Sequence, residues 1–238
     1  MDLKEEEILG KDISEHWYYR SKAAALFDYV GKLNPQSILD VGAGSGFFSR
    51  ELLRKTDAKV ALCIDTSYKT ERNELVAGKP VRYCTHSGPV DVDLVLLMDV
   101  LEHVDNDVGL LCEYVDKVPA RTHFLLTVPA FSFLWSGHDI FLGHYRRYTL
   151  NEIEKVAGKA GLIVERGSYY YGLVFPIAAA LRLLGNYPGS GNHSPRSQLK
   201  KHSPFTNAIL KGICTVDRVF LPVNRFAGLT AFCLARKP

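Results

Sequence analysis

The chain has 238 residues, 47% of them apolar, with 29 Lys and Arg against 26 Asp and Glu. That is enough apolar material for one sizeable core and excludes global disorder. No uncharged apolar stretch reaches the roughly 18 residues that a transmembrane helix needs.

The opening MDLKEEEILGKD is acidic and has no apolar run, so no secretory leader is expected. Residues 1–34 read as helical, with His16, Trp17, Tyr18 and Arg20 ahead of an apolar run from Ala23 to Val30, and Asn34-Pro35 ends the pattern. Short apolar runs then alternate with amphipathic ones. Strands are predicted at Ser37–Val41, Lys59–Asp65, Val81–Thr85, Asp93–Met98 and His123–Val128, and helices at about 45–55, 67–77 and 105–117. Near-continuous apolar strands separated by helices predict an α/β domain with a parallel sheet covered on both faces. After Pro129 a loop rich in aromatics and histidines runs to Tyr148. A helix follows, with Thr149 as N-cap and Glu152 three residues on, closing near Gly161. Leu162–Tyr171 and Ala227–Ala235 read as late strands. Helices at about 173–184 and 204–220 lie between them, joined by a Gly-, Ser-, Pro- and Lys/Arg-rich stretch, 186–203, that reads as mobile.

The five cysteines (Cys63, Cys84, Cys112, Cys214 and Cys233) form no C-x-x-C pair. They read as core residues in a reducing cytoplasm, and no metal site is predicted. The charge is uneven. From Pro176 onward nine basic residues face one acid, Asp217, leaving 20 basic and 25 acidic residues before it. A body of −5 thus carries a tail of +8, which points the tail at an anionic partner, lipid or nucleic acid.

The stretch ILDVGAGSG, Ile38 to Gly46, follows the first strand and opens a helix, where open α/β sheets bind ligands. A phosphate-gripping loop would end in Gly-Lys-Ser/Thr, but Phe47-Phe48 follow Gly46. A dinucleotide fingerprint would put its third glycine at Phe47. Asp40, directly before the loop, is a poor neighbour for a pyrophosphate and a good one for a ligand carrying ammonium and sulfonium groups. Asp65, ending the second strand, suits ribose hydroxyls in either kind of site.

On ILDVGAGSGFFS, the acid in ALCIDTS, and LVLLMDVLEHV, the sequence resembles the class I S-adenosylmethionine (SAM)-dependent methyltransferases over about residues 36–130, and more loosely to the end. The resemblance implies a Rossmann-like, doubly wound, seven-stranded and mostly parallel sheet with an antiparallel last strand. It implies SAM as cofactor and S-adenosylhomocysteine as product. Carried onto this chain, Asp40, Gly42, Ala43, Gly44 and Gly46 face the methionine part, Asp65 and Thr66 the ribose, and Met98 and Asp99 the adenine and methyl donor. Where many relatives have an aspartate after the third strand, this chain has Thr85-His86-Ser87, so His86 or Ser87 is expected to take the adenine contact.

The loop FLWSGHDIFLGHYRRYT leaves the carboxyl end of the fifth strand, on the ligand side. It can stack an apolar acceptor among Phe133, Trp135, Phe141, Tyr145 and Tyr148 while offering groups that titrate near neutrality. The plainer reading has its aromatics plugging the sheet end while Arg146 and Arg147 pair with acids. A hydroxyl acceptor calls for a general base, for which His138, His144 and His103 are the candidates, with Asp139 to orient one of them. A carboxylate or enolate acceptor needs none. This loop, with HWYYR, resembles a bacterial and archaeal methyltransferase subgroup whose acceptors are poorly defined.

The expected organisation is an N-terminal helical lid (1–34), a SAM-binding domain (35–171 and 225–238) and a basic helical insertion (172–224). The insertion either caps the acceptor site, makes a homodimer contact, or lies on the inner membrane surface. The expected function is methylation of a small-molecule or lipid-linked acceptor on oxygen or carbon. The rivals are an RNA methyltransferase, an NAD-dependent oxidoreductase on the same sheet, and a SAM-binding module without catalysis; nucleic acid is the least favoured partner.

Overall fold

In the computed structural model, which describes residues 13–183 and 202–238, the apolar runs join into one eight-stranded sheet. Its strands are β1 (Ser37–Val41), β2 (Val60–Ile64), β3 (Arg72–Val76), β4 (Lys79–Cys84), β5 (Leu94–Met98), β6 (His123–Pro129), β7 (Ile163–Tyr170) and β8 (Thr230–Arg236). They lie in the order β3-β4-β2-β1-β5-β6-β8-β7. β1 pairs in parallel with β2 and β5, β2 with β4, and β5 with β6, whereas β8 runs antiparallel to both β6 and β7. The chain builds outward from β1 in one direction and returns to start the other half at β5. The carboxyl ends of β1 and β5 therefore flank the topological switch point, where a crevice opens.

Seven strands were expected and eight are present. The extra one, β3, replaces the helix predicted at 67–77 and pairs antiparallel with β4. Its two-residue turn, Ala77-Gly78, has positive φ at both positions (51° and 77°), the condition for the hairpin turn whose twist matches its strands. Once that turn forms, edge pairing decides the segment against its helical composition.

The helices are α1 (Trp17–Val30), α2 (Phe47–Lys55), α3 (Asp107–Lys117), α4 (Gly137–Leu142), α5 (Leu150–Lys159), α6 (Phe175–Leu183) and α7 (Pro204–Phe220). Strand side chains alternate between the two sheet faces. Ile38, Leu94 and Leu96 pack with Tyr19, Leu26, Phe47 and Leu52 under α1 and α2, while Leu39, Val95 and Leu97 pack with Leu111, Leu150 and Ile153 under α3 and α5. The predicted capping box opens α5: Thr149 N–H donates to Glu152 Oε2 (2.6 Å) and Glu152 N–H to Thr149 Oγ1 (3.3 Å). Ser203 caps α7, taking the Thr206 N–H, with Pro204 in the first turn where its missing donor costs nothing.

α7 is fastened to the body. Arg218 donates to both oxygens of Asp28 on α1 (2.7 and 2.8 Å), and Asp217 accepts the Gly172 N–H (2.8 Å). No helix among the described residues is long and apolar enough to cross a membrane. The first part of the expected lid (1–12) and most of the basic stretch at 186–203 lie outside the described residues.

Candidate active site

The glycine loop leaves β1 with Gly42, Gly44 and Gly46 all at positive φ (64°, 55° and 73°). Two of these positions also exclude a side chain sterically. A Cβ on Gly42 would stand 2.7 Å from the Val100 side chain, and one on Gly46 2.9 Å from the Tyr83 ring. The glycines therefore let the loop nest against the protein as well as turn. Ala43 is buried and donates its N–H to the Ile64 carbonyl (3.0 Å), and Gly44 N–H donates to Asp65 Oδ2 (2.9 Å). The Tyr68 hydroxyl donates to the Gly44 carbonyl. Asp65 thus holds the ends of β1 and β2 together.

Asp40 is buried and accepts the Ser49 hydroxyl of α2 (2.7 Å). Burial pushes its carboxyl up to about 6, against the lowering effect of that hydrogen bond. Met98 is buried at the end of β5, Thr66 and His86 are exposed, and His86 Nδ1 lies 2.9 Å from Thr85 Oγ1. The Ser45 and Ser87 hydroxyl oxygens, one in the glycine loop and one just past β4, are buried without hydrogen-bond partners.

Asp99 stands at the switch point with φ of 56°, a strained value for a residue other than glycine. Its Oδ1 accepts the Thr127 hydroxyl (3.0 Å), and its other oxygen accepts from the fully buried ammonium of Lys22 on α1. Tyr18, one turn earlier on the same helix face, donates to that oxygen at 3.4 Å. Burial raises the Asp99 carboxyl, but the Lys22 charge more than reverses this and holds it below the usual range. Lys22 was not among the sequence candidates. The available signal was a lysine one turn after Tyr18, opening the otherwise apolar run Ala23–Leu26.

A cavity of about 390 Å3 opens beside Asp99. Its polar wall brings together all the predicted catalytic histidines: His103 from the turn Leu101–His103 after β5, and His138 and His144 around α4. The His103 and His144 rings meet edge to face at 4.6 Å between centroids. Asp139 orients His144, whose Nδ1 lies 3.0 Å from Oδ1. Arg147 clamps Asp139 through Nε (2.7 Å) and a terminal nitrogen (3.1 Å), while the Ser136 N–H donates to it at 2.8 Å. Against its own burial, this set of donors keeps Asp139 ionised far below the usual carboxylate range. Burial pushes His138 down to about 4, so it is neutral at pH 7. Glu102, fully buried in the same wall, has neither carboxyl oxygen hydrogen-bonded. Its burial, followed by the Asp99 charge, lifts its pKa well above the usual range.

The apolar walls come from α1 through Trp17 and Tyr18, and from Ile177, Leu181, Leu210 and Ile213 on α6 and α7. Other expected site residues point elsewhere. His16 caps α1 and Arg20 reaches Glu51 at 3.8 Å. Arg146 pairs with Asp105 at 3.1 Å, and Tyr148 is buried with its hydroxyl on Asp107 (2.8 Å). Phe133, Trp135 and Tyr145 are exposed.

No protein-family model matches the chain, and no curated protein matches it in sequence. Its shape is familiar. A SAM-dependent methyltransferase from Archaeoglobus fulgidus aligns over 99% of this chain and 98% of its own, with a TM-score of 0.57 and 15% identity. An inferred methyltransferase from Bacillus halodurans aligns over 92% and 99%, with a TM-score of 0.56 and 14% identity. An inferred methyltransferase in complex with the Haloferax volcanii Trm112 methyltransferase activator aligns over 93% and 94%, with a TM-score of 0.52 and 14% identity. Likeness at this level of identity speaks to architecture: the chain has the α/β fold in which SAM-dependent methyltransferases are built.

Proposed function

We propose that the chain is a SAM-dependent methyltransferase acting on a small or lipid-linked acceptor, at oxygen or carbon. One observation carries this reading: the glycine loop with Asp65 leaves the carboxyl end of β1, and the cavity lined by Asp99 opens at the carboxyl end of its neighbour β5, so a donor site and an acceptor site would adjoin at the switch point. The residues present fit the donor. The buried Ser45 and Ser87 hydroxyls lack partners that a nucleoside's polar edge can supply, Asp65 directly follows β2 where a ribose would lie, and no lysine waits for a triphosphate. When bound, SAM supplies a methyl group on a sulfonium, reactive enough that alignment and exclusion of water do most of the work.

The chain's own residues suit that work. Trp17, Tyr18 and the aliphatic faces of α6 and α7 give the cavity an apolar wall that leaves water few partners beside an acceptor. Neutral His138 and Asp139-oriented His144 are the groups available to take an acceptor proton. The insertion acts as a cap whose outer face favours a lipid-borne acceptor: Phe205, Val216 and Val219 on α7 are 75%, 55% and 72% exposed, in a segment rich in Lys and Arg.

Calorimetry tests the donor. SAM and S-adenosylhomocysteine are expected to bind, and heat with NAD in their place would overturn the reading. Incubation with labelled methyl donor and separate lipid, small-molecule and RNA extracts tests the acceptor; label in RNA alone would remove the proposed class.

A further inference from the structure

Three side chains on the cavity wall converge in a way that methyl transfer by itself does not require. Glu102 and His103 come from the turn after β5, and His144 from the loop after α4. Each offers one ligand atom, and the three atoms lie within 4.8 Å of one another, facing the cavity. The Glu102 carboxyl is fully buried with neither oxygen partnered. A buried polar group left so is destabilising, and a bound cation on its lone pairs would offset that cost. Behind His144 stands Asp139, 3.0 Å from Nδ1 and itself clamped by Arg147. A carboxylate behind an imidazole is how metal-ligating histidines have their ring and tautomer fixed, and it leaves Nε2 as the donor nitrogen.

We infer that Glu102, His103 and His144 form a binding site for one divalent transition-metal ion. Two imidazoles and a carboxylate select the zinc, cobalt, manganese or iron(II) class over magnesium and calcium, which prefer all-oxygen shells. Three protein ligands leave coordination positions on the cavity side, open to an oxygen donor of the acceptor; the identity of that last ligand rests on the methyltransferase reading, and the metal site does not. His144 is then a ligand, Asp139 its positioning residue, and proton uptake falls to His138. The cysteine spacings were the wrong place to look for a metal here, because these ligands are nitrogen and oxygen and come from two separate loops.

The full-length protein is stripped with a chelator, dialysed and titrated with cobalt(II), whose visible absorption reports its coordination. One equivalent is expected to bind, raising Tm and giving a spectrum that zinc bleaches by competition. Glu102→Gln and His144→Ala are expected to weaken binding by at least about tenfold, and Asp139→Asn by about 10- to 100-fold, while His123→Ala, at the far end of β6, leaves it unchanged. Circular dichroism checks that each variant folds; the Tm rise of the unaltered protein reads the site even where a variant does not. No spectrum and no Tm change in the unaltered protein, or equal cobalt binding by folded Glu102→Gln and His144→Ala variants, overturns the inference. SAM calorimetry on the stripped sample separates the two readings. SAM heat without cobalt binding removes the metal site and leaves the methyltransferase; cobalt binding without SAM heat does the reverse.

Discussion

Replacing Asp40 with asparagine tests the electrostatics at the head of the glycine loop. The carboxyl is buried and pushed from 3.8 to about 6, with Ser49 only partly compensating. A rise of about two pH units, at about 1.4 kcal/mol each, means that ionised Asp40 costs the folded chain about 3 kcal/mol at pH 7. The sign follows from proton binding. Folded Asp40 holds its proton more tightly than the unfolded residue, so stability from this group is highest below about pH 4 and falls as pH rises to about 6. Asparagine keeps the shape, still accepts the Ser49 hydroxyl and never ionises. Urea unfolding of both proteins across this range should show the variant about 2–3 kcal/mol more stable at pH 7, with the gap closing near pH 4. The difference between the two curves is the quantity to read, since other carboxylates move both alike. Parallel curves, or a gap that widens in acid, would refute the reasoning. The same variant should bind SAM more weakly, because a cationic ligand gains from the charge that the empty fold tolerates poorly.

Lys22→Met strands the Asp99 charge beside Glu102; the cost is expected near 3 kcal/mol, the bottom of the buried-pair range, because the Asp99 side chain is 25% exposed. Adding Asp99→Asn should recover most of that loss in thermal unfolding, and no recovery would show that the lysine acts by packing alone. Gly42→Ala forces a methyl to 2.7 Å from Val100 at a left-handed φ, so a loss of about 1–3 kcal/mol is expected; Val100→Ala should relieve only the steric part. Asp65→Ala frees the Gly44 N–H and removes the expected ribose contact, so calorimetry should show SAM affinity down by about tenfold or more. Phe205→Glu with Val219→Glu should abolish pelleting with anionic vesicles at low salt; a protein that never pellets removes the membrane contact from the proposal.

The core of the sheet was legible because the strands buried on both faces, β1, β5 and β6, read as near-continuous apolar runs. β3 was not. It lies on the edge, alternates exposed polar residues such as Arg72 and Glu74, and owes its conformation to pairing with β4. α4 escaped notice because six residues carry too little periodicity. At the site, Asp139 was expected to orient a histidine and is bonded to His144, but spacing does not tell which of two nearby histidines takes that bond. Both readings of the aromatic loop describe part of it. Its histidines face the cavity, while Arg146 and Arg147 pair with acids. The meeting of Glu102 with His144, and of Lys22 with Asp99, depends on how a turn, a loop and a helix dock, and no local pattern encodes that.

α7 is bolted to α1 by Arg218 and Asp28, and α1 reaches the switch point through Lys22. The helix that walls the cavity and the strained carboxylate at the head of β5 therefore share one anchor, and a displacement of α1 would be felt at both.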